Sequence, residues 1–301
     1  MAQATESLPS TPAMTLGTRS SRPRGLAART LIRVLRDPVG VVGLAILAAL
    51  SAVALLAPIV ASFDPLEIGA GTPLEAPSRA HPFGTDDLGR DVYSRVVHGG
   101  RISLWIAVAS ATAALAMAVP LGLLAGYGGG YVDAAIARLF DTIFAFPSIL
   151  IGIGFVAVLG TSLRNVVLAV AIINIPTLGR LTRVAILAQK SEEYVEAARS
   201  IGASGARVAA RHILPNATPP LVVQTALVMG EAVLLEAAFS FLGLGSRPPT
   251  PSWGVMLNEG RNFLAQAWWL GFFPGVAITL MILALNALAD ALRSALNPRR
   301  L

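Results

Sequence analysis

Residues that could carry out chemistry are few in this 301-residue sequence, and their spacing matches no catalytic motif. The absence of cysteine excludes thiol catalysis, disulfides and cysteine metal sites. The three histidines, His81, His98 and His212, lie far apart without HExxH-type spacing, and no GxSxG motif occurs. No glycine-rich loop precedes Lys190, the single lysine, so ATP hydrolysis by a Walker A motif is excluded. The sequence therefore predicts a non-enzyme with no metal site and no cofactor of its own.

The composition indicates a membrane protein. Hydrophobic residues make up 54% of the chain and charged residues 13%, whereas soluble domains carry about 25% charged residues. The net charge of +6 comes from arginines that flank apolar runs, as the positive-inside rule predicts, and not from basic patches interleaved with aromatic residues. We therefore expect the lipid bilayer as a partner and no nucleic acid.

Six apolar segments are long enough to span a bilayer. They are residues 39–60, 102–127, 140–159, 165–187, 219–242 and 272–292. Arginines precede the first segment and follow the last, so both termini are predicted to be cytoplasmic. Pro120 and Pro147 predict kinks in the second and third spans.

The expected domain organisation follows from these spans. Residues 1–30 are predicted to form a disordered cytoplasmic tail, with a short basic helix over 26–36 lying on the membrane surface. Residues 31–100 combine this basic segment with the first span and an external segment over 62–100. Residues 101–301 form the core domain of five spans, with a cytoplasmic loop over 190–215.

Glu231 raises a second functional hypothesis, because it lies near the middle of the fifth span. Ionisable groups at membrane depth are typical of ion-coupled transporters, but an ion relay needs several matched partners, which favours a Glu231 that is paired or protonated within the bundle. Together with Gln224 in the same span and Asn174 in the fourth span, Glu231 is a candidate for lining a transport pathway.

A polar segment between the fourth and fifth spans interrupts the apolar sequence. Ser191 is the expected N-cap of a short helix that Gly202 ends, and Ser204 begins a second helix. This second helix is predicted to end by Leu214, because Pro215 disfavours helical geometry before it. A small-to-apolar stripe at helical spacing is formed by Tyr194, Ala197, Ala198 and Ile201. The segment is therefore predicted to be either a docking surface for another protein or an ordinary amphipathic loop at the membrane.

Several blocks of this sequence resemble permease subunits of ATP-binding-cassette importers. Residues 196–202 read Glu-Ala-Ala-Arg-Ser-Ile-Gly and, with Leu214-Pro215, resemble the "EAA" loop of that family. Residues 81–104 and 239–254 resemble external blocks of the dipeptide, oligopeptide and nickel permeases. The closing residues 289–299 and the block 141–147 also fit. The departures are Asn297, where an Asp is usual, and Glu231, where a small residue is more common.

This resemblance implies an all-α integral membrane protein with the six-helix type I importer permease fold, of the second type in the permease pair. It implies a multi-pass subunit of a bacterial plasma membrane that forms half of a pathway for di- or oligopeptides. Nickel chelates or other small solutes are alternative substrates. The implied partners are a sister permease, two ATP-binding subunits that carry ATP and Mg, and an extracytoplasmic substrate-binding protein.

The resemblance also implies two sets of contact residues. The residues implied in coupling to the ATPases are Glu193, Tyr194, Glu196, Ala197, Ala198, Ile201, Gly202, Leu214 and Pro215. The residues proposed for contact with the binding protein are Asp86, Arg90, Asp91 and Trp253, although local pairs and caps are the alternative for the three charged ones.

Overall fold

The computed structural model describes residues 24–246 and 249–297, and within these ranges all the regular elements are helices. The α-helices in chain order are α1 (Arg24–Val34), α2 (Pro38–Leu55), α3 (Ala57–Val60), α4 (Val92–Leu123), α5 (Gly130–Phe144), α6 (Ser148–Leu159), α7 (Leu163–Lys190), α8 (Glu193–Ser200), α9 (Gly205–Arg207), α10 (Leu214–Phe241), α11 (Trp253–Gly260) and α12 (Trp269–Leu296). Two π-helical segments, Leu124–Gly128 and Val208–Ile213, extend α4 and join α9 to α10.

Five helices are long and apolar enough to cross a membrane, and the bent pair α5 and α6 brings the number to six if it is one span. This agrees with the six predicted spans, although their bounds differ. The second span begins at Val92 and not at residue 102, because the Asp91 carboxylate accepts a hydrogen bond from Ser94 N at 2.7 Å and caps the helix. Most of the predicted tail, residues 1–23, lies outside the described residues, but α1 begins at Arg24, within the segment predicted to be disordered.

Prolines break two predicted spans more sharply than the sequence suggested. In the third span, α5 and α6 meet at 88° just before Pro147, where a moderate kink was predicted. In the first span, α2 ends at Leu55 and Pro58 lies in the first turn of the separate helix α3. Both breaks follow from the missing N–H of proline and from the clash of the proline ring with the preceding turn.

The prediction that the second helix of the polar segment ends by Leu214 is wrong. Helix α9, the π-helical segment and α10 are continuous from Gly205 to Phe241. The π-helical turns lie directly before Pro215, which then occupies the first turn of α10, where a proline is tolerated. The fifth span is therefore an extension of the polar segment and is not separated from it by a turn.

Helices α4, α7, α10 and α12 form the core, and close contacts of other helices with this core require small residues. On α6, a Cβ atom at Gly152 would lie 2.0 Å from Cζ of Phe239 on α10. Phe239 is fully buried, so its ring has no free space into which to move.

Gly152→Ala is therefore expected to destabilise the α6–α10 contact by about 1–3 kcal/mol through overpacking. Gly154 on the same helix is the matched control, because a Cβ there would meet no atom within 4 Å, and Gly154→Ala should not lower the melting temperature. Thermal unfolding of both variants in detergent tests this, and equal melting temperatures would contradict the packing described.

Candidate functional site

The polar segment 190–215, called the coupling segment from here on after the role that the family resemblance implies, contains a short helix with a glycine stop. The N-cap of α8 is Glu192 without a side-chain cap bond, so the prediction of Ser191 in that role is wrong. Ser191 instead ends α7, and its hydroxyl donates to the Ala188 carbonyl at 3.2 Å. At the other end, Gly202 has φ of +83°, and the N–H of Ala203 donates to the Ala198 carbonyl at 3.1 Å. This is the Schellman arrangement, and it agrees with the prediction that Gly202 ends the helix.

One side of α8 packs against the bundle. Val195 is fully buried and Ala198 nearly so, in a cluster with Ile186, Val208 and Ile213. Leu214 and Tyr194 lie at the edge of this cluster, and the Tyr194 hydroxyl donates to Gln189 Oε1 at 2.8 Å. The residues of the predicted stripe therefore differ in their burial. Ala198 faces inward and is buried, whereas Tyr194 is only half-buried.

The other side of the coupling segment is exposed. Its exposed members are Glu193, Glu196, Ala197, Ile201 and Gly202, with Pro215 at the far end. Ile201 is 86% exposed, which is unusual for a large aliphatic side chain at a helix end. A segment that exposes a large apolar side chain together with two carboxylates is suited to docking on a partner with a hydrophobic, partly basic cleft.

Tyr127 fastens the coupling segment to the second span, and sequence reasoning missed it. The Lys190 ammonium donates to the Tyr127 carbonyl at 2.8 Å and lies 5.4 Å from the centre of its ring. The Arg199 guanidinium lies 5.9 Å from the same centre, and a Cβ at Gly205 would be 3.1 Å from the Tyr127 hydroxyl. Two features of the sequence could have indicated this contact. Tyr127 lies directly before a glycine turn, and the single lysine lies at the end of α7.

A buried ionic network joins the external segment to α11. Arg90 Nε donates to Asp86 Oδ2 at 2.6 Å, and Arg95 Nη2 donates to Glu259 Oε2 at 2.6 Å. Arg90 Nη2 also reaches Glu259 Oε2 at 3.2 Å, so the two arginines share this carboxylate. Glu259 was not identified from the sequence, because it lies far along the chain and in no recognised motif.

The four residues proposed for binding-protein contact are all buried. Asp86 and Arg90 belong to the ionic network, and Asp91 accepts from Ser94 N and lies 2.9 Å from His81 Nδ1. Trp253 Nε1 donates to the Val96 carbonyl at 2.9 Å. For the charged three this is the arrangement of local pairs and caps that the sequence offered as the alternative.

The loop that precedes the network is closed by its own hydrogen bonds. The Thr72 hydroxyl donates to Glu75 Oε2 at 2.9 Å, which lowers the pKa of Glu75 below its ordinary value. The Thr85 hydroxyl in turn accepts from Glu75 N at 2.9 Å. These bonds keep a long connection between spans in a defined shape.

The three candidate pathway residues do not lie together. Asn174 is buried in α7, where its side-chain amide donates to the Val170 carbonyl at 3.1 Å. Gln224 is half-buried and Glu231 is exposed, and the two lie about two turns apart on one face of α10. Asn286, exposed on α12, lies next to Gly230, whose added Cβ would be 3.9 Å from its Oδ1. We call Gln224, Glu231 and Asn286 the polar stripe.

Comparisons with known proteins agree on the kind of protein that this is. The family described as "Binding-protein-dependent transport system inner membrane component" matches residues 118–301, and "N-terminal TM domain of oligopeptide transport permease C" matches residues 25–77. The inward-facing MetNI methionine ABC transporter has a similar fold, with a TM-score of 0.54 at 17% identity over 67% of this chain and 96% of that one. The fold and these matches define an inner-membrane permease subunit of the ATP-binding-cassette importers.

The chain therefore belongs to the family of binding-protein-dependent transport permeases. Dipeptide transport system permease protein DppC of Alkalihalophilus pseudofirmus is 43% identical and covers 88% of this chain and 87% of its own. Di/tripeptide permease DppC of Pseudomonas aeruginosa is 42% identical, over 82% and 83%. Glutathione transport system permease protein GsiD of Pectobacterium atrosepticum is 46% identical, over 75% of each chain.

Proposed function

We propose that this chain forms half of the translocation pathway of an ATP-driven peptide importer. The other half is a dissimilar sister permease, and two separate subunits bind and hydrolyse ATP, so this chain is not itself an enzyme. The observation that carries the proposal is the coupling segment, which exposes Ile201, Glu193 and Glu196 while its buried residues are fixed to the bundle. The relatives named for dipeptide, di/tripeptide and glutathione transport support peptides as the substrate class.

The continuous helix from Gly205 to Phe241 suggests how coupling works. Closure of the two ATPases on ATP would push the coupling segment, and the push would pass directly into the fifth span. Tyr127 and Lys190 would carry part of it to the second and fourth spans. Movement of these spans against the sister permease would switch the pathway between inward and outward access.

Reconstitution of the complete complex in proteoliposomes tests this function. With the ATPases, the sister permease and the binding protein present, ATP hydrolysis should accumulate a labelled dipeptide. Without the ATPases, a proton gradient should accumulate none, and accumulation there would establish the ion-coupled alternative. If ATP hydrolysis accumulates a nickel chelate or another solute and no dipeptide, the peptide assignment is wrong while the importer assignment stands.

We propose that the external segment and α11 contact the substrate-binding protein. In this proposal Asp86, Arg90, Asp91 and Trp253 hold the shape of that surface from within, since their side chains are buried. The exposed residues around them, such as Ile68 at 69% exposure, supply the contact itself.

We also propose that the polar stripe faces the pathway, because an exposed carboxylate and amides at membrane depth are costly against lipid. Asn174 would act only by supporting α7. Glu231→Gln is expected to raise the KM of peptide uptake about tenfold, the effect of losing one charged hydrogen bond to the substrate's ammonium group. An unchanged KM in Glu231→Gln would place this residue outside the pathway.

Both termini and the coupling segment are proposed to be cytoplasmic. Because the chain has no cysteine, single cysteines can be introduced to report this orientation, and no native cysteine has to be replaced first. Ser204→Cys in the coupling segment and Ala80→Cys in the external segment replace exposed residues, so both thiols should react. A membrane-impermeant maleimide applied to intact cells should label only Ala80→Cys, and labelling of both variants from outside would contradict the proposed orientation.

A further inference from the structure

A buried carboxyl lies in α10 near the end that is remote from the coupling segment. Glu236 is fully buried, and its Oε1 accepts a hydrogen bond from the Ser240 hydroxyl at 2.7 Å. The buried side chain of Ser252 lies beside the same carboxyl. Among the described residues, Glu236 forms no ion pair and its Oε2 has no hydrogen-bond partner. A buried carboxyl without a cationic partner costs stability, which indicates a role beyond packing.

This carboxyl joins the end of α10 to the start of α11. Ser252 is the N-cap of α11, where its hydroxyl also accepts a hydrogen bond from Val255 N at 3.3 Å. In the connection between the two helices, Ser246 N donates to the Ser240 hydroxyl oxygen at 3.3 Å. We call Glu236, Ser240, Ser246 and Ser252 the α10–α11 cluster. Its members come from both helices and from the connection between them, so the cluster links the two elements.

Close contacts hold α11 against α10 beside this cluster. A Cβ atom at Gly254 of α11 would lie 2.6 Å from the Ala237 carbonyl oxygen of α10, so the two backbones touch with no side chain between them. Near the other end of α11, the Asn258 side-chain amide donates to the Phe241 carbonyl. Helix α11 is therefore fixed to α10 at its start and near its end.

Helix α11 is also bonded to the external segment and to α4. Glu259 Oε2 accepts from Arg90 Nη2 of the external segment at 3.2 Å and from Arg95 Nη2 of α4 at 2.6 Å. Trp253 Nε1 donates to the Val96 carbonyl of α4 at 2.9 Å. Through α11, the end of α10 is therefore linked to the surface that we propose to contact the binding protein.

We propose that Glu236 is a positioning residue that makes α11 follow the end of α10, so that movement begun at the coupling segment reaches the external segment. This role rests on the proposed function, in which α10 carries the movement and the external segment contacts the binding protein. Networks of hydrogen bonds and packed side chains carry coupling between distant sites, and the α10–α11 cluster and the bonds of Glu259 form such a network. The binding protein would then be held and released in step with the ATPases.

The affinity of the complete complex for its binding protein measures this coupling. The purified binding protein, loaded with dipeptide, is titrated against the complex in lipid nanodiscs, with and without a non-hydrolysable ATP analogue. In the native complex the two dissociation constants are expected to differ at least about fivefold, as is typical of coupled sites. Glu236→Met should lower this ratio about fivefold, because the carboxyl that lies between Ser240 of α10 and Ser252 of α11 is lost.

Further variants separate this role from a purely structural one. Glu236→Gln keeps the shape of the side chain and the acceptor for the Ser240 hydroxyl, so it should retain the native ratio. Glu236→Met should still fold, since an apolar side chain of similar length replaces a buried polar one and the Ser240 hydroxyl can bond the backbone carbonyl four positions earlier. The double variant Glu236→Met/Ser240→Ala should lower the ratio no further than Glu236→Met alone, because both residues act in one cluster.

An unchanged ratio in Glu236→Met, with or without a lower melting temperature, would overturn the proposal. A native ratio of one would overturn it as well, because the external segment would then not respond to the ATPases. ATP-driven dipeptide uptake by the native complex reports separately on the proposed function. Uptake together with an unchanged ratio would mean that the importer assignment holds and the role of Glu236 does not.

Discussion

Ile201→Asp is expected to abolish ATP-driven uptake while the protein stays in the membrane. Ile201 is 86% exposed in this chain alone, so its replacement costs little in folding. At a docked interface the same change removes about 1.5–3 kcal/mol of apolar burial and adds the larger cost of burying a charge. We therefore expect the ATPase subunits to bind at least about a hundredfold more weakly.

Co-purification of the ATPase subunits with tagged permease measures this effect. Ile201→Leu is the matched control, because it keeps the apolar side chain and should retain both binding and uptake. If Ile201→Asp binds the ATPases and transports normally, the exposed face of the coupling segment is not the docking surface. If it binds them but hydrolysis proceeds without uptake, the contact transmits movement and contributes little to affinity.

Arg95→Met is expected to destabilise the protein by about 1.5–3 kcal/mol, because it removes one of the two arginines that hold the partly buried Glu259 carboxylate. Arg95 is 1% exposed, and its guanidinium donates to Glu259 at 2.6 Å and lies 3.6 Å from Asp86 Oδ2. The expected readout is a lower melting temperature in detergent and less protein in the membrane.

The double variant Arg95→Met/Glu259→Met distinguishes a lost ion pair from lost packing. Removal of both charges leaves Arg90 paired with Asp86, so the double variant should be more stable than Arg95→Met alone. A double variant as unstable as the sum of the two single variants would mean that Arg95 contributes through its packing, and that the charges do not act together.

The spans and the stop at Gly202 could be predicted because they depend on local sequence. A run of apolar residues is long enough to cross a bilayer whatever its neighbours, and a glycine is favoured wherever φ is positive. The continuation of the helix past Pro215 could not be predicted, because local rules favour a break before proline. The π-helical segment that precedes Pro215 is packed through Val208 and Ile213, which is a property of the folded bundle.

The partners of the site residues were the least predictable part. Arg95 and Glu259 are 164 positions apart, and no periodicity in either segment indicates that they meet. The burial of Ala198 likewise depends on which side of α8 meets Ile186, and the helical spacing of α8 alone allows either side.

The unbroken helix from Gly205 to Phe241 also fixes a length. Its 37 residues span about 55 Å at 1.5 Å per residue, which exceeds the thickness of a bilayer with its headgroups. When this helix tilts as one body across Pro219 and Pro220, which lie within it, each degree at its base displaces its far end by about 1 Å. Small rotations imposed at one surface of the membrane would therefore be amplified into ångström displacements near Glu236 and Ser240, at the opposite surface, without any residue between them changing its conformation.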